Sequence, residues 1–161
     1  MSFKDAIKSF FVKYATFSGR ASRSEFWYAM LFCWLVSSGL GVWLFLDDTI
    51  NGWKRPPAQL SLVAVLATLV DLAITIPSIA VGVRRLHDGG RSGWWYLLTI
   101  APLGLILIGA LSHMALLFLI AIIAAPVPIV ILIIWWCKGG EPYDNPWGPD
   151  PLANPGVGWT P

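Results

Sequence analysis

Charge is scarce in this chain. Only 12% of the 161 residues are Asp, Glu, Lys or Arg, against 57% hydrophobic residues, where a soluble globular domain carries about 25% charged residues. A water-soluble fold of this composition would have too little polar surface to cover itself. The sequence therefore predicts one small integral membrane domain, with the bilayer as its solvent. The formal net charge of +2 is too small to mark a nucleic-acid binder, and no nucleic-acid partner is expected.

Cysteine is nearly missing. Cys33 and Cys137 both fall in or at the edge of apolar runs, and no CxxC or Cys/His ligand spacing occurs. That pattern argues against a disulfide framework or a zinc site, the two thiols read as free, and neither metal nor cofactor is expected. A cleavable signal peptide is also missing. The first apolar run, Phe26 to Leu46, is 21 residues long and follows 25 residues that read as folded; a signal h-region is only about 7–15 residues, so this run is an uncleaved span.

The longest absence is between Trp94 and Cys137, 44 residues without one Asp, Glu, Lys or Arg. As a single helix this run would measure about 66 Å, twice the hydrocarbon thickness, so it must fold back. Its weakest point is Gly109 to His113, where Ser112-His113 are consecutive polar residues. Pro102 is expected to bend the third span, and Pro126 with Pro128 the fourth.

Against this background the polar residues stand out. Residues 2–17 read as an amphipathic helix, with Phe3, Ala6, Ile7, Phe10, Phe11, Tyr14 and Phe17 at helical spacing and Lys4, Asp5, Lys8 and Lys13 opposite. Such a helix suits the head-group plane, or it packs its apolar face on the protein's own loops. Gly19 is the expected stop. Ser22-Arg23-Ser24-Glu25 fits a capping box ahead of the first span. Within that span Ser37 and Gly41, four apart, offer a small face on which another helix packs closely.

The second span, about 60–83, follows a loop over 47–59 and carries Asp71 near its middle. Pro77 should free the carbonyl of Ala73. Ala64, Thr68, Asp71, Thr75, Ser78 and Gly82 form one stripe, which must face other helices or a cavity because acyl chains offer an acid no partner. Asp71, Thr75 and Ser78 are candidates for a proton or cation site in a small transporter or channel subunit. A single acid hydrogen-bonded to a neighbouring helix would equally serve as glue, and no internal repeat of the transporter kind is visible.

The expected architecture is an all-α membrane protein of four transmembrane helices, about 26–46, 60–83, 94–111 and 114–137. Residues 1–25 form an amphipathic interfacial helix and a basic step, and 138–161 a Pro/Gly-rich tail. That tail holds six prolines and five glycines in 24 residues, too many breakers for a helix or a regular strand. Counting Lys and Arg gives five in the first 25 residues, three in 84–93 and one in the tail, against two in 47–59. The positive-inside rule then puts both termini in the cytoplasm. Trp27, Trp94, Trp95, Trp135 and Trp136 fall at that boundary, with Trp43 and Trp53 toward the other.

Three segments emerge on the basic side: Phe17-Ser-Gly-Arg-Ala-Ser-Arg-Ser-Glu-Phe-Trp27, Arg84-Arg-Leu-His-Asp-Gly-Gly-Arg-Ser-Gly-Trp-Trp95 and Asn145-Pro-Trp-Gly-Pro-Asp-Pro151. Together they resemble the hallmarks of the domain-of-unknown-function family 805, in the right order and over nearly the whole chain. The resemblance implies a small bacterial inner-membrane protein and lends no catalytic residues. Many members look shorter between the second and third motifs, so the long run here makes a full hairpin more plausible.

Arg20, Arg23, Glu25, Arg84, Arg85, His87, Asp88 and Arg91 make the strongest candidate site. Arginine forks suit phosphate, and a glycine-rich turn leaves amides open to an anion, which points to anionic lipid or an acidic partner; a protein partner or a homo-oligomer is a separate expectation. The same arginines would equally enforce topology and pair with Glu25, Asp88 and the acidic tail (Glu141, Asp144, Asp150). An enzyme is not expected. His87 and Asp88, adjacent on a helix, point about 100° apart, and Ser92 suits a helix cap better than a nucleophile. The preferred role is a non-enzymatic membrane scaffold or regulator.

Overall fold

A computed structural model of the chain describes residues 1–51, 62–111 and 115–153, without the side chains of 105 and 117. Lys54, Arg55, Pro56-Pro57, Trp53, the Ser112-His113 turn and the tail beyond Ala153 lie outside these. The described residues form six α-helices: α1 (Phe3–Val12), α2 (Arg23–Asn51), α3 (Leu62–Asp88), α4 (Ala101–Leu111), α5 (Ala115–Ala124) and α6 (Pro126–Cys137), with a 3₁₀ helix, Gly93–Thr99, before α4. No strand occurs among them beyond an isolated bridge between Asn145 and Gly148.

Arg23–Asn51, Leu62–Asp88 and Phe118–Cys137 are long and apolar enough to cross a membrane. The 3₁₀ helix with α4, bent by 44°, makes a fourth if it is counted as one span. Their surfaces agree with that use: Trp34 and Phe45 on α2 are 65% and 70% exposed, positions that water would disfavour and acyl chains would not.

The chain divides into two compact units, Met1–Thr16 with Ser24–Val81, and Phe17–Arg23 with Gly82–Pro161. In the first, α1 starts on a capping box in which Ser2 Oγ accepts from Asp5 N at 3.2 Å and Asp5 Oδ2 accepts from Ser2 N at 3.4 Å. It stops at Val12, earlier than its periodicity suggests, where Lys13 N closes on Ser9 O. Ala6, Ser9 and Phe10 are buried, with Phe10 edge-on to Phe32 at 5.8 Å and Ser9 Oγ donating to the buried Glu25 at 2.8 Å. Phe3 and Phe11 stay exposed beside Lys4 and Lys8.

Two helices outrun the sequence expectation. Asp47 and Asp48 continue α2 rather than opening a loop, because Asn51 Nδ2 reaches back to Asp47 Oδ1 at 3.0 Å, an i,i+4 bond that stabilises a helix. Beyond Val83, where its apolar stretch ends, α3 runs one polar turn further, Arg84 to Asp88. It closes on a Schellman motif, with Gly90 N to His87 O at 3.0 Å, Arg91 N to Leu86 O at 3.0 Å and Gly90 at φ +69°. That left-handed position is why glycine stands there.

In the second unit, α4 and α5 form the closest helix pair. A Cβ on Gly109 would lie 2.8 Å from Phe118 Cα, so the glycine expected near the turn instead lets the two backbones touch inside α4. The bend of the third segment falls at Ile100, and Pro102 sits in the first turn of α4, where a missing amide costs nothing. Pro126 likewise opens α6 after the break at Ala125, at the proline pair where a bend was expected.

Candidate functional site

The second unit gathers residues 17–23 of the first motif segment and the whole of the other two into a clasp. Arg20, Arg84, Arg85 and Asp88 are no more than 3% exposed, so each charge needs partners inside the protein. Arg20 Nε donates to Asp88 Oδ1 at 3.0 Å, and its Nη2 lies at the same distance from that oxygen. Its other donors reach the tail carbonyls of Tyr143 at 2.7 Å, Glu141 at 2.5 Å and Gly148 at 3.4 Å. Arg85 pairs with Asp88 Oδ2 and donates to the carbonyls of Trp136 (3.1 Å), Ala21 (3.4 Å) and Lys138. Two of these close the C-terminal end of α6, where carbonyls lack helical donors and a cation is favoured.

Backbone bonds draw the segments together as well: Ala21 N to Arg84 O at 3.1 Å and Glu141 N to Asp88 O at 2.9 Å. Gly140 lies against the Asp88 carboxylate so closely that a Cβ would overlap it. Burial raises the Asp88 carboxyl above its ordinary value, opposed by Arg85 and Arg20, and burial lowers Arg85.

His87 packs in the same clasp. Its Nδ1 lies 3.1 Å from Gly19 O, so that nitrogen carries the proton, and its ring stacks on Trp147 at 5.1 Å and 14°. Burial lowers its pKa, against the opposing pull of the Gly19 carbonyl. The imidazole and Asp88 are engaged separately. Ser92 Oγ accepts from Trp94 N at 3.4 Å, capping the 3₁₀ helix.

Arg23 and Arg91 differ from the buried arginines. Arg23 is exposed. Arg91 is half-buried, its guanidinium 4.7 Å over the Trp135 ring and its Nη1 on Gly89 O at 2.9 Å. Among the described residues no three His, Cys, Asp or Glu side chains converge as metal ligands.

The tail folds onto these arginines through its carbonyls rather than its carboxylates. Asn145 is the residue that sequence reasoning missed. Its Nδ2 donates to His87 O and to Glu141 Oε2, each at 2.9 Å, while its Oδ1 accepts from Trp147 N at 3.1 Å. An Asn two residues before Trp147 in a Pro-rich tail is the signal for such a turn.

The intramembrane candidates lie in the first unit. Ser37 Oγ donates to Asp71 Oδ1 at 2.7 Å, joining α2 to α3, while at Gly41, the other half of the small face expected there, an added Cβ would meet nothing within 4 Å. Thr75 Oγ1 bonds Asp71 O and Ser78 Oγ bonds Thr75 O, both at 2.7 Å. Neither hydroxyl is on the Asp71 carboxylate.

Comparison with known proteins gives this arrangement a family. The chain is 34% identical over 142 residues to the inner membrane protein YhaH of Escherichia coli (strain K12), covering 88% of this chain and 92% of that protein. It is 31% identical over 138 residues to the inner membrane protein YhaI of the same strain, covering 86% and 87%. No solved structure matches it. The matching family model runs over residues 14–149, which contain the first two segments of the clasp and most of the third, and the chain belongs to that family, described as protein of unknown function DUF805.

Proposed function

We propose that this is an inner-membrane protein that crosses the bilayer four times with both termini in the cytoplasm, and that it acts as a non-enzymatic scaffold or regulator. The observation that carries this reading is the engagement of Arg20 and Arg85 by Asp88 and by carbonyls of the tail and α6. Those guanidinium groups hold helix ends together and have few donors left for an outside ligand. The contacts with Trp136 and Lys138 also support a full hairpin over 94–137, since the run leaves from and returns to the same polar layer. The bias of Lys and Arg supports the cytoplasmic side.

Anionic lipid, or an acidic partner, is then met by the accessible cations Arg23, Arg91 and Lys138. Arg91 stands on Trp135, with the exposed Trp94 and Trp95 nearby in sequence, a combination suited to the head-group level. α1, for its part, carries exposed Phe3 and Phe11 beside Lys4 and Lys8, a pattern suited to a lipid surface. The separate engagement of His87, Asp88 and Ser92 supports a site without catalysis. The Ser37–Asp71 bond supports glue rather than ion transport.

Binding to phosphatidylglycerol vesicles tests the lipid role. Arg23→Ala and Arg91→Ala should each weaken it about fivefold, about 1 kcal/mol per basic residue at the surface, with the fold intact. Unchanged binding by the double variant defeats the proposal. For topology, a cysteine in place of the exposed Asp144 should react only with reagent on the cytoplasmic side.

A further inference from the structure

Pro77 removes one amide from the apolar stretch of α3, and the carbonyl left without its helical donor is that of Ala73. Ala73 lies ten residues before Val83, about 15 Å along the helix axis. Within an apolar stretch that crosses a bilayer such a carbonyl needs a donor from another element. Tyr14, just beyond α1, supplies it: the phenol donates to Ala73 O at 2.5 Å. The need is mutual, because a phenolic O–H drawn into an apolar environment is itself costly without an acceptor.

The nearby hydroxyls on α3 have other duties, Thr75 on Asp71 O and Ser78 on Thr75 O. Ser37, on α2, holds the Asp71 carboxyl, two residues from Ala73 in sequence. If Tyr14 withdrew, the carbonyl would have to take up water or draw a hydroxyl away from its present acceptor. Either event changes the surroundings of Asp71.

We propose that Tyr14 is the removable cap of a proline hinge in α3, through which α1 controls the flexure of that helix and the hydration around Asp71. Tyr14 is a positioning residue. The trigger rests on the interfacial placement of α1 proposed above: a lipid surface that shifts α1 lifts the phenol from Ala73. The cap itself rests on the hydrogen bond and on Pro77, and stands without that placement.

Amide hydrogen exchange of the full chain in lipid nanodiscs tests both parts. Tyr14→Phe should speed exchange over residues 71–79 by roughly fivefold or more, the effect of leaving one carbonyl in an apolar environment unsatisfied. Pro77→Ala restores the missing amide, so adding Tyr14→Phe to that variant should change nothing. The same acceleration on both backgrounds, or none on either, overturns the hinge. If Tyr14→Phe alone does not fold, the double variant decides: recovery of folded protein supports the pairing of Tyr14 with Pro77, and failure overturns it. For the trigger, adding phosphatidylglycerol to phosphatidylcholine nanodiscs should alter exchange over 71–79 in the native protein but not in Pro77→Ala. An equal response, or none, overturns the trigger alone.

Discussion

Asp71 and Asp88 sit on one helix, seventeen residues apart, and are kept in opposite ways. Asp88 is buried and takes two guanidinium groups, one from Arg20 and one from Arg85, with a tail amide on its backbone carbonyl. Asp71 is exposed and takes a single hydroxyl from Ser37. The difference follows from where chain segments meet. At the polar end of α3 three stretches distant in sequence converge, so cations and carbonyls are available together and a full charge is held. In the apolar stretch the neighbours are Ser and Thr, and only hydroxyl bonding is on offer. Asp88 is thus the hub of an ion network, and Asp71 a link between two helices.

The sharpest way to break this contrast is the same substitution at both positions. Asp88→Asn keeps the shape but removes the charge that faces two buried arginines, and losing one partner of a buried ion pair costs about 3–5 kcal/mol. Asp71→Asn leaves an amide oxygen that Ser37 still meets, so it should cost far less. Thermal unfolding in mild detergent measures both. Equal losses would mean that Asp71 is held as firmly as Asp88, and the distinction between hub and link would be wrong.

A smaller effect sharpens the Asp71 side. Ser37→Ala removes the hydroxyl that joins α2 to α3, and interhelical hydrogen bonds of this kind contribute about 0.6 kcal/mol on average, up to about 1.7. The loss should largely vanish on an Asp71→Leu background, where no acceptor remains. A persistent loss would assign Ser37 a packing role independent of Asp71.

How much of this was legible beforehand divides along the same line. Apolar runs and their polar breaks located the helices, because that signal is local. The proline rule named Ala73 as the carbonyl to be freed, and of the Ser37–Gly41 pair expected to meet another helix Ser37 does so by a hydrogen bond while Gly41 faces open space. What could not be read was pairing at a distance. Tyr14 reaches Ala73 across 59 residues and Arg20 reaches the tail across more than 120, and no periodicity encodes such contacts. Opposite charge suggested that the tail would meet the arginines through its carboxylates. The bonds instead go to carbonyls, which every residue carries and which leave no mark in composition. The polar turn Arg84–Asp88 reads as loop because it is charged, yet it is helical because Gly90 supplies the stop.

The finest test of the clasp lies in His87. Its folded pKa is below the ordinary value because the ring is buried, with the Gly19 carbonyl pulling the other way. Above about pH 6.5 the imidazole is neutral in folded and unfolded chain alike, and stability should not depend on it. Below that value the unfolded chain binds a proton that the folded chain refuses, so stability falls as pH falls, by at most about 1.4 kcal/mol per pH unit for one proton. Burial raises Asp88, so its contribution has the opposite sign, and comparison with a His87 variant that keeps Asp88 isolates the part that belongs to His87. His87→Asn keeps a donor for the Gly19 carbonyl and cannot titrate. The melting temperature of the native protein should therefore fall between about pH 7.5 and 5.5 relative to that of His87→Asn. Parallel curves would mean that the imidazole is solvated in the folded protein, and that Trp147 and Asn145 do not hold the tail over it.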